Sequence, residues 1–428
     1  MTRLNHRSAH ELAKMIRSGD VRPSEVMADH LDRISEREPV IGAFQTLDAE
    51  RAMKRAKAAN ALLVGGPLHG VPFVIKDIID TDDMPTGWGS DLYADRQPDR
   101  NADCVQAFLN AGAIPIGKTV TTEFAYFHPG KTANPANPAH TPGGSSSGSA
   151  AAVADFMSPL GFGSQTAASL IRPAAYCGVC GFKPTTGRFD LTGVMGLSQN
   201  LDTLGVLARD PRDLVLSDAV LRGTALPPPS NFDDEALPRI SLMRGPYWQD
   251  GSVAMRDTCT RALSVIAAEG ADTGEIAHPP IFADLTQAQI TVMGYEAARL
   301  RATEYTIGVP GISPQFHALI KNGMAVSDTE YRAALTLRDR AGAMLDQLFR
   351  DTDALLVPSA PGPAPEGLEA TGDPLYSRMW NLLQVPSVAL PFGADQKGLP
   401  LGFQLIGRKG DDSRLLDIAS WVHGILAR

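Results

Sequence analysis

The sequence predicts an α/β protein, and three observations carry the prediction. Short apolar runs of strand length recur along the chain, amphipathic stretches of helical spacing lie between them, and the composition suits a large packed core. The 428 residues are 43% hydrophobic and 20% charged, close to an average soluble globular protein. No internal repeat is present.

The first 60 or so residues read as three helices. Ser8 and Glu11 form an S-x-x-E capping box ahead of Leu12, Met15 and Ile16. A second helix is expected to start after Pro23, to carry Val26, Met27, Leu31 and Ile34 on one side, and to end before Pro39. A third, rich in Ala, Lys and Arg, is expected from Asp48 to Leu63 and to stop at Gly65-Gly66. Val71 to Ile75 reads as a buried strand, Cys104 to Ala111 as a helix, and Ala113 to Ile116 as another strand.

Residues 128–187 differ in texture. A Pro/Asn loop, NPANPAHTP, precedes GGSSSGSAAAVADF and then GFGSQTAASLIRPAAYCGVCGFKPTTG. Ser, Gly and Ala dominate, as in a flexible linker. Val153, Phe156, Met157, Leu160 and Phe162 are embedded in it, however, and linkers lack such residues. The stretch is expected to be packed backbone that comes close to something. Beyond Pro227-Pro228-Pro229 a strand is expected at Ile240–Met243, followed by helices over 252–268, 284–305 and 328–350, the last opened by a Ser327/Glu330 capping box. Strands are expected at Asp353–Val357, Ser387–Pro391 and Leu401–Ile406, before a closing amphipathic helix containing Leu415, Leu416, Ile418, Val422 and Ile425.

The formal net charge of −9 argues against nucleic-acid and anionic-membrane partners, which need a basic face. Four cysteines cannot form a disulfide scaffold at this length, so a reducing compartment is expected. The N-terminus has no apolar stretch suited to a signal peptide, and no apolar run reaches the ~18 residues of a membrane span. The expected location is the cytoplasm.

Several motifs fail on context. Gly144-Ser145-Ser146-Ser147-Gly148 matches G-x-S-x-G, but that nucleophile turn needs a preceding strand, and the residues here are Pro- and Asn-rich. Phe73-Val74-Ile75-Lys76 echoes a kinase V-A-I-K without any H-R-D or D-F-G after it. No G-K-[ST] marks a phosphate loop. Cys177 and Cys180 have no second pair or spaced His for zinc and are expected to pack in a small-residue turn. No metal site is expected.

What remains is a lysine closing an apolar strand and serines in Gly/Ser/Ala turns. A lysine acts as a base near neutral pH only when its usual pKa of about 10.4 is lowered, and apolar burial does that. Lys76 follows Val71-Pro72-Phe73-Val74-Ile75, a suitable setting. A serine hydroxyl needs such a base to become a nucleophile. Small-residue turns such as Gln165–Ser169 leave backbone N–H groups free to meet a developing oxyanion. The bland alternative is that Lys76 is a buried lysine paired with Asp77 or Asp80.

GGSSSGSAAAVA followed by GSQTAASLIRPAAYCGVCGFKPT resembles the signature of the amidase signature family of Ser-Ser-Lys hydrolases. The resemblance extends to PLHGVPFVIKDIID, NPANPAHTPGG, LDTLGVLARDPRDL, DALLVPSAP and GLPLGFQLIG, and is weakest over about 225–350. It implies one amidase domain over 1–428: N-terminal helices over 1–63, a signature core over 64–222, a mostly helical pocket-shaping region over 225–350, and a C-terminal return over 351–428. The fold implied is a large mixed, twisted sheet with helices on both faces, the N-terminal helices lying across it.

By the same resemblance, Lys76 matches the catalytic lysine, Ser145 the bridging serine on a cis peptide after Gly144, and Ser169 the acylated nucleophile. The backbone of Thr166, Ala167 and Ala168 matches the oxyanion hole. The implied reaction is hydrolysis of a small-molecule amide through an acyl-enzyme, with no cofactor and with a homodimer as the expected assembly. A second reading is the glutaminase subunit of a tRNA-dependent amidotransferase, which requires partner chains. A third is a weakly active or inactive member.

Two departures from the usual G-T-D-x-G-G-S-I-R-x-P bear on this. Gln165 replaces Asp and the arginine falls three residues after the serine, at Arg172; both resemble the malonamidase-like branch, in which that arginine binds a substrate carboxylate. The alternative for Arg172 is an ion pair with Asp or Glu that braces the loop. The second departure is Ala167-Ala168 in place of Gly-Gly, which adds Cβ atoms where φ > 0 is normally permitted. The added Cβ atoms are expected either to narrow the pocket or to penalise the loop conformation.

Overall fold

The protein is described from a computed structural model covering residues 3–61, 65–227, 232, 236–307 and 311–427. Its frame is one sheet of eleven strands: β1 (Phe44–Leu47), β2 (Pro72–Lys76), β3 (Ile114–Thr119), β4 (Leu160–Gln165), β5 (Cys180–Lys183), β6 (Thr203–Ala208), β7 (Arg239–Leu242), β8 (Asp272–Glu275), β9 (Ala354–Pro358), β10 (Ser387–Ala394) and β11 (Pro400–Ile406). They lie in the order β1-β3-β2-β4-β6-β5-β10-β11-β9-β7-β8. β2 runs parallel to both β3 and β4, and β7 runs parallel to β8 and β9; the other neighbours are antiparallel. The α/β fold with a mixed sheet, helices on both faces, is therefore as the sequence implied.

Burial explains the sequence texture. Every residue of β2, β3, β4, β5 and β6 is buried, as strands covered on both faces must be, and this is why they read as continuous rather than alternating runs. The edge strand β8 is mostly exposed and polar. The Gly/Ser/Ala stretch is packed backbone. It forms a buried helix over Ser147–Ala154, then β4, then a buried helix over Ile171–Cys177. A Cβ on Gly163 would lie 2.8 Å from Leu170 Cδ1 and 2.9 Å from Ser146 Oγ, so small residues set how closely these layers approach.

The capping boxes form as expected, at Ser8/Glu11 for the helix Ala9–Ser18 and at Ser327/Glu330 for Asp328–Leu348. Four expectations need correction. Pro39 lies inside the helix Pro23–Ile41; in its last turn a proline forfeits a single backbone bond, and Gly42 at φ 61° then ends the helix. The third helix is Ala49–Ala59, with Asn60 as its C-cap, and residues 62–64 lie outside the described ones. The expected 284–305 helix breaks at Arg301 into Leu285–Leu300 and Ala302–Ile307. The strands β1, β6 and β8 and the helices Pro314–Ala325 and Leu375–Leu382 were not expected at all. Cys177 and Cys180 are buried free thiols, directed at the Pro142 and Arg209 carbonyls.

Candidate active site

Lys76 is the last residue of β2, wholly buried between β3 and β4. Its ammonium donates to Ser145 Oγ at 2.6 Å and to Ser164 Oγ of β4 at 2.8 Å. Burial drives its pKa well below the ordinary lysine value, against the opposing pull of the Asp202 carboxylate. The bland alternative for Lys76 does not hold. Asp77 instead pairs with the buried Lys118 at 3.1 Å, and Asp80 takes Arg96 at 2.7 Å.

Ser145 follows a cis peptide bond from Gly144 and precedes the helix Ser147–Ala154. Gly143 sits at φ 81°, in the left-handed region that favours glycine, with Pro173 and Tyr176 against its α-carbon. Ser146 ties this loop to its surroundings: its Oγ accepts from Ser164 N at 3.2 Å, and its N–H donates to Ser169 O at 3.1 Å. The Ser145 and Ser169 loops are thus directly bonded to each other. Ser169 lies between β4 and the helix Ile171–Cys177, where Gln165 Oε1 accepts from Leu170 N and Ile171 N at 3.1 and 3.0 Å.

A narrow pocket of about 20 Å³ is lined by Ser145, Ser169, Thr166, Ala167, Ala168 and Arg172, with Tyr126, Phe127, Leu197 and Met293 among its walls. Among the described residues, the N–H groups of Thr166, Ala167, Ala168 and Ser169 donate to no other backbone or side-chain group, so they are free to meet a ligand oxygen. Neither alanine has positive φ, so of the two expected effects the strained backbone is absent. The Cβ atoms narrow the pocket without forcing the left-handed region on a non-glycine residue.

Arg172 is buried and braced, though not by an acid. Its guanidinium donates to the Gly144, Gly372 and Thr371 oxygens, the first at 2.6 Å and the last at 3.0 Å. Among the described residues it has no ion pair with Asp or Glu, so that part of the bracing expectation is corrected; the Gly144 and Gly372 carbonyls and the Thr371 hydroxyl do the bracing. Its buried Nε has no partner, and burial lowers its pKa to about 10, which leaves it charged at neutral pH.

Residues that the sequence did not single out complete the surroundings. Ser164 is the second partner of Lys76; it sits in GFGSQ, two residues before Thr166, where strand alternation could have placed it on the same face. Asp202 accepts from Thr166 Oγ1 at 2.6 Å, and Gln289 and Asn381 donate to Thr166 O at 3.0 and 2.7 Å.

The family model for Amidase matches residues 25–416. The chain belongs to the amidase family. This makes it an amidase-type hydrolase, of the class that acts on C–N bonds of amides. Among curated amidase relatives, a glutamyl-tRNA(Gln) amidotransferase subunit from Thermus thermophilus is 34% identical, over 96% of this chain and 95% of that one. The protein of the same description from Rhodopirellula baltica is 33% identical, over 96% and 94%. Among solved structures, an amidase superposes with a TM-score of 0.90 at 30% identity, covering 98% of this chain and 100% of that chain. The malonamidase-like branch is not singled out by these comparisons.

Proposed function

We propose that this amidase cleaves a small carboxamide through Lys76, Ser145 and Ser169. The observation that carries the reading is the buried contact between Lys76 and Ser145 beside a pocket that Ser145 and Ser169 both line. Neutral Lys76 takes a proton from Ser145, which takes one from Ser169 as its oxygen attacks the amide carbonyl. The free N–H groups of Thr166, Ala167 and Ala168 receive the oxyanion, the Thr166 side chain setting the head of that loop. The relay then returns the proton to the departing amine or ammonia, and water hydrolyses the acyl-enzyme on Ser169. Only unprotonated lysine can start this sequence, so the rate falls as pH drops through the Lys76 pKa.

Arg172 is the candidate for substrate binding, together with the Gly144 backbone it holds. Its unpartnered Nε and uncompensated charge favour a substrate with an anionic group at that side of the pocket.

The names of the curated relatives support a second reading, a glutaminase subunit of a tRNA-dependent amidotransferase, better than they support a stand-alone amidase. In that reading the amide is glutamine and partner chains complete the assembly. The narrow Ala167-Ala168 pocket supports the stand-alone reading with slim acyl groups. Ammonia release from glutamine and from a size series of small amides, alongside size-exclusion of the purified chain, separates them. A homodimer that hydrolyses small carboxylated amides and spares glutamine supports the first reading. Glutamine as the preferred substrate, strengthened by co-purifying partner chains, supports the second. No ammonia from any amide contradicts both.

A further inference from the structure

Beside Ser164 lies a second cavity, of about 230 Å³, which shares its Ala125, Thr166 and Leu197 walls with the substrate pocket. Ser164 lines it, and so does Asp202, which takes no part in the proton relay. Asp202 stands just before β6, opposite the end of β4, because Gln165 pairs with Thr203. One carboxylate oxygen accepts from Thr166 Oγ1 at 2.6 Å, and the other accepts from Leu197 N and Ser198 N at 2.7 and 2.9 Å. Thr166 begins the loop that carries Ala167, Ala168 and Ser169, and Leu197, like Thr166, lines both cavities. One side chain therefore fixes both walls.

We infer that Asp202 is a positioning residue of the hydrolytic reaction: it holds Thr166 and the Leu197–Ser198 turn as one unit, and it puts a carboxylate in the cavity that Ser164, the second partner of Lys76, also lines. The inference rests on the Lys76–Ser145–Ser169 reading. Its electrostatic side has few competitors. The side chains bonded to Lys76 are the Ser145 and Ser164 hydroxyls, and the adjoining Asp77 is committed to Lys118. Asp202 is the charged group whose field reaches Lys76, and it favours the protonated lysine. Around Asp202 itself, burial raises its pKa to about 6 against the Thr166 hydroxyl and the two N–H groups, with a further rise from Glu296. Glu296 is in turn occupied by Ser198, Asn200 and Tyr331.

The sign of the effect follows. With Asp202 ionised, Lys76 keeps its proton to a higher pH; without that charge it loses the proton at a lower pH. The test is the pH profile of kcat/KM for wild type, Asp202→Asn and Thr166→Val, on whichever amide the wild type hydrolyses. Asp202→Asn is expected to move the acid limb down by about one pH unit and to lower kcat about tenfold through the loosened loop. Thr166→Val keeps the charge and loses the hydroxyl, so kcat falls similarly while the limb moves much less. An acid limb unmoved or raised in Asp202→Asn overturns the proposal. So does a wild-type kcat in Thr166→Val, which decides the matter even where Asp202→Asn does not fold. A wild-type profile with no acid limb instead condemns the relay reading itself.

Discussion

Ser169→Ala is expected to lower kcat by at least about 10⁴-fold, and Lys76→Ala by nearly as much. The reason is that the two act on one proton. Removing the nucleophile leaves nothing to be activated, and removing the base leaves the hydroxyl at its ordinary, unreactive pKa. The Lys76/Ser169 double variant should therefore be little slower than either single one, since members of one catalytic unit are far from additive. Steady-state kinetics on the four proteins checks this. Losses that multiply would make Lys76 a structural residue that happens to touch Ser145. The wholly buried Nζ, with serine hydroxyls as its only partners among the described residues, argues for the relay: burial without a paired carboxylate is what lowers a lysine pKa.

The largest stability effect should come from a second buried lysine, Lys118. Lys118 and Asp77 form an ion pair at 3.1 Å with side chains 0% and 2% exposed, and Lys118 also reaches the Pro85 and Thr86 oxygens. Burial pushes Asp77 up and Lys118 down, and each is held back toward its charged form by the other. Asp77→Ala strands a buried ammonium and should cost about 3–5 kcal/mol. The double variant Asp77→Ala/Lys118→Met, which removes both charges, should recover a good part of that. Urea unfolding midpoints of the two variants against wild type measure it. Equal losses in the single and double variants would show that packing, not the stranded charge, sets the cost.

The two lysines show what the sequence made legible. Lys76 was readable because an apolar strand ends on it, and such a position means burial. That Asp77 would turn to Lys118 rather than Lys76 depends on the β2–β3 register, in which Lys118 stands opposite Ile75 and Thr119 opposite Lys76, and no local pattern encodes a register. The capping boxes were legible because their signal spans three residues. β1 was not, being four residues long with a register shift of its own, and β6 was hidden in LDTLGVLARD, whose glycine and flanking charges blur a buried strand. Asp202 escaped for the same reason: its role arises from pairing across β4 and β6, 36 residues from Thr166. Arg172 was visible as a departure from the signature, while the carbonyls that brace it come from Gly144 and from Gly372, 28 and 200 residues away.

The central claim is that Ser169 carries the acyl group. The most direct measurement is rapid quenching during turnover of the amide the enzyme hydrolyses fastest, followed by intact mass and peptide mapping. The account predicts one acyl group per chain, on the peptide containing Ser169, and none in Ser169→Ala. An acyl group on Ser145 or elsewhere, or undiminished turnover by Ser169→Ala, would contradict it.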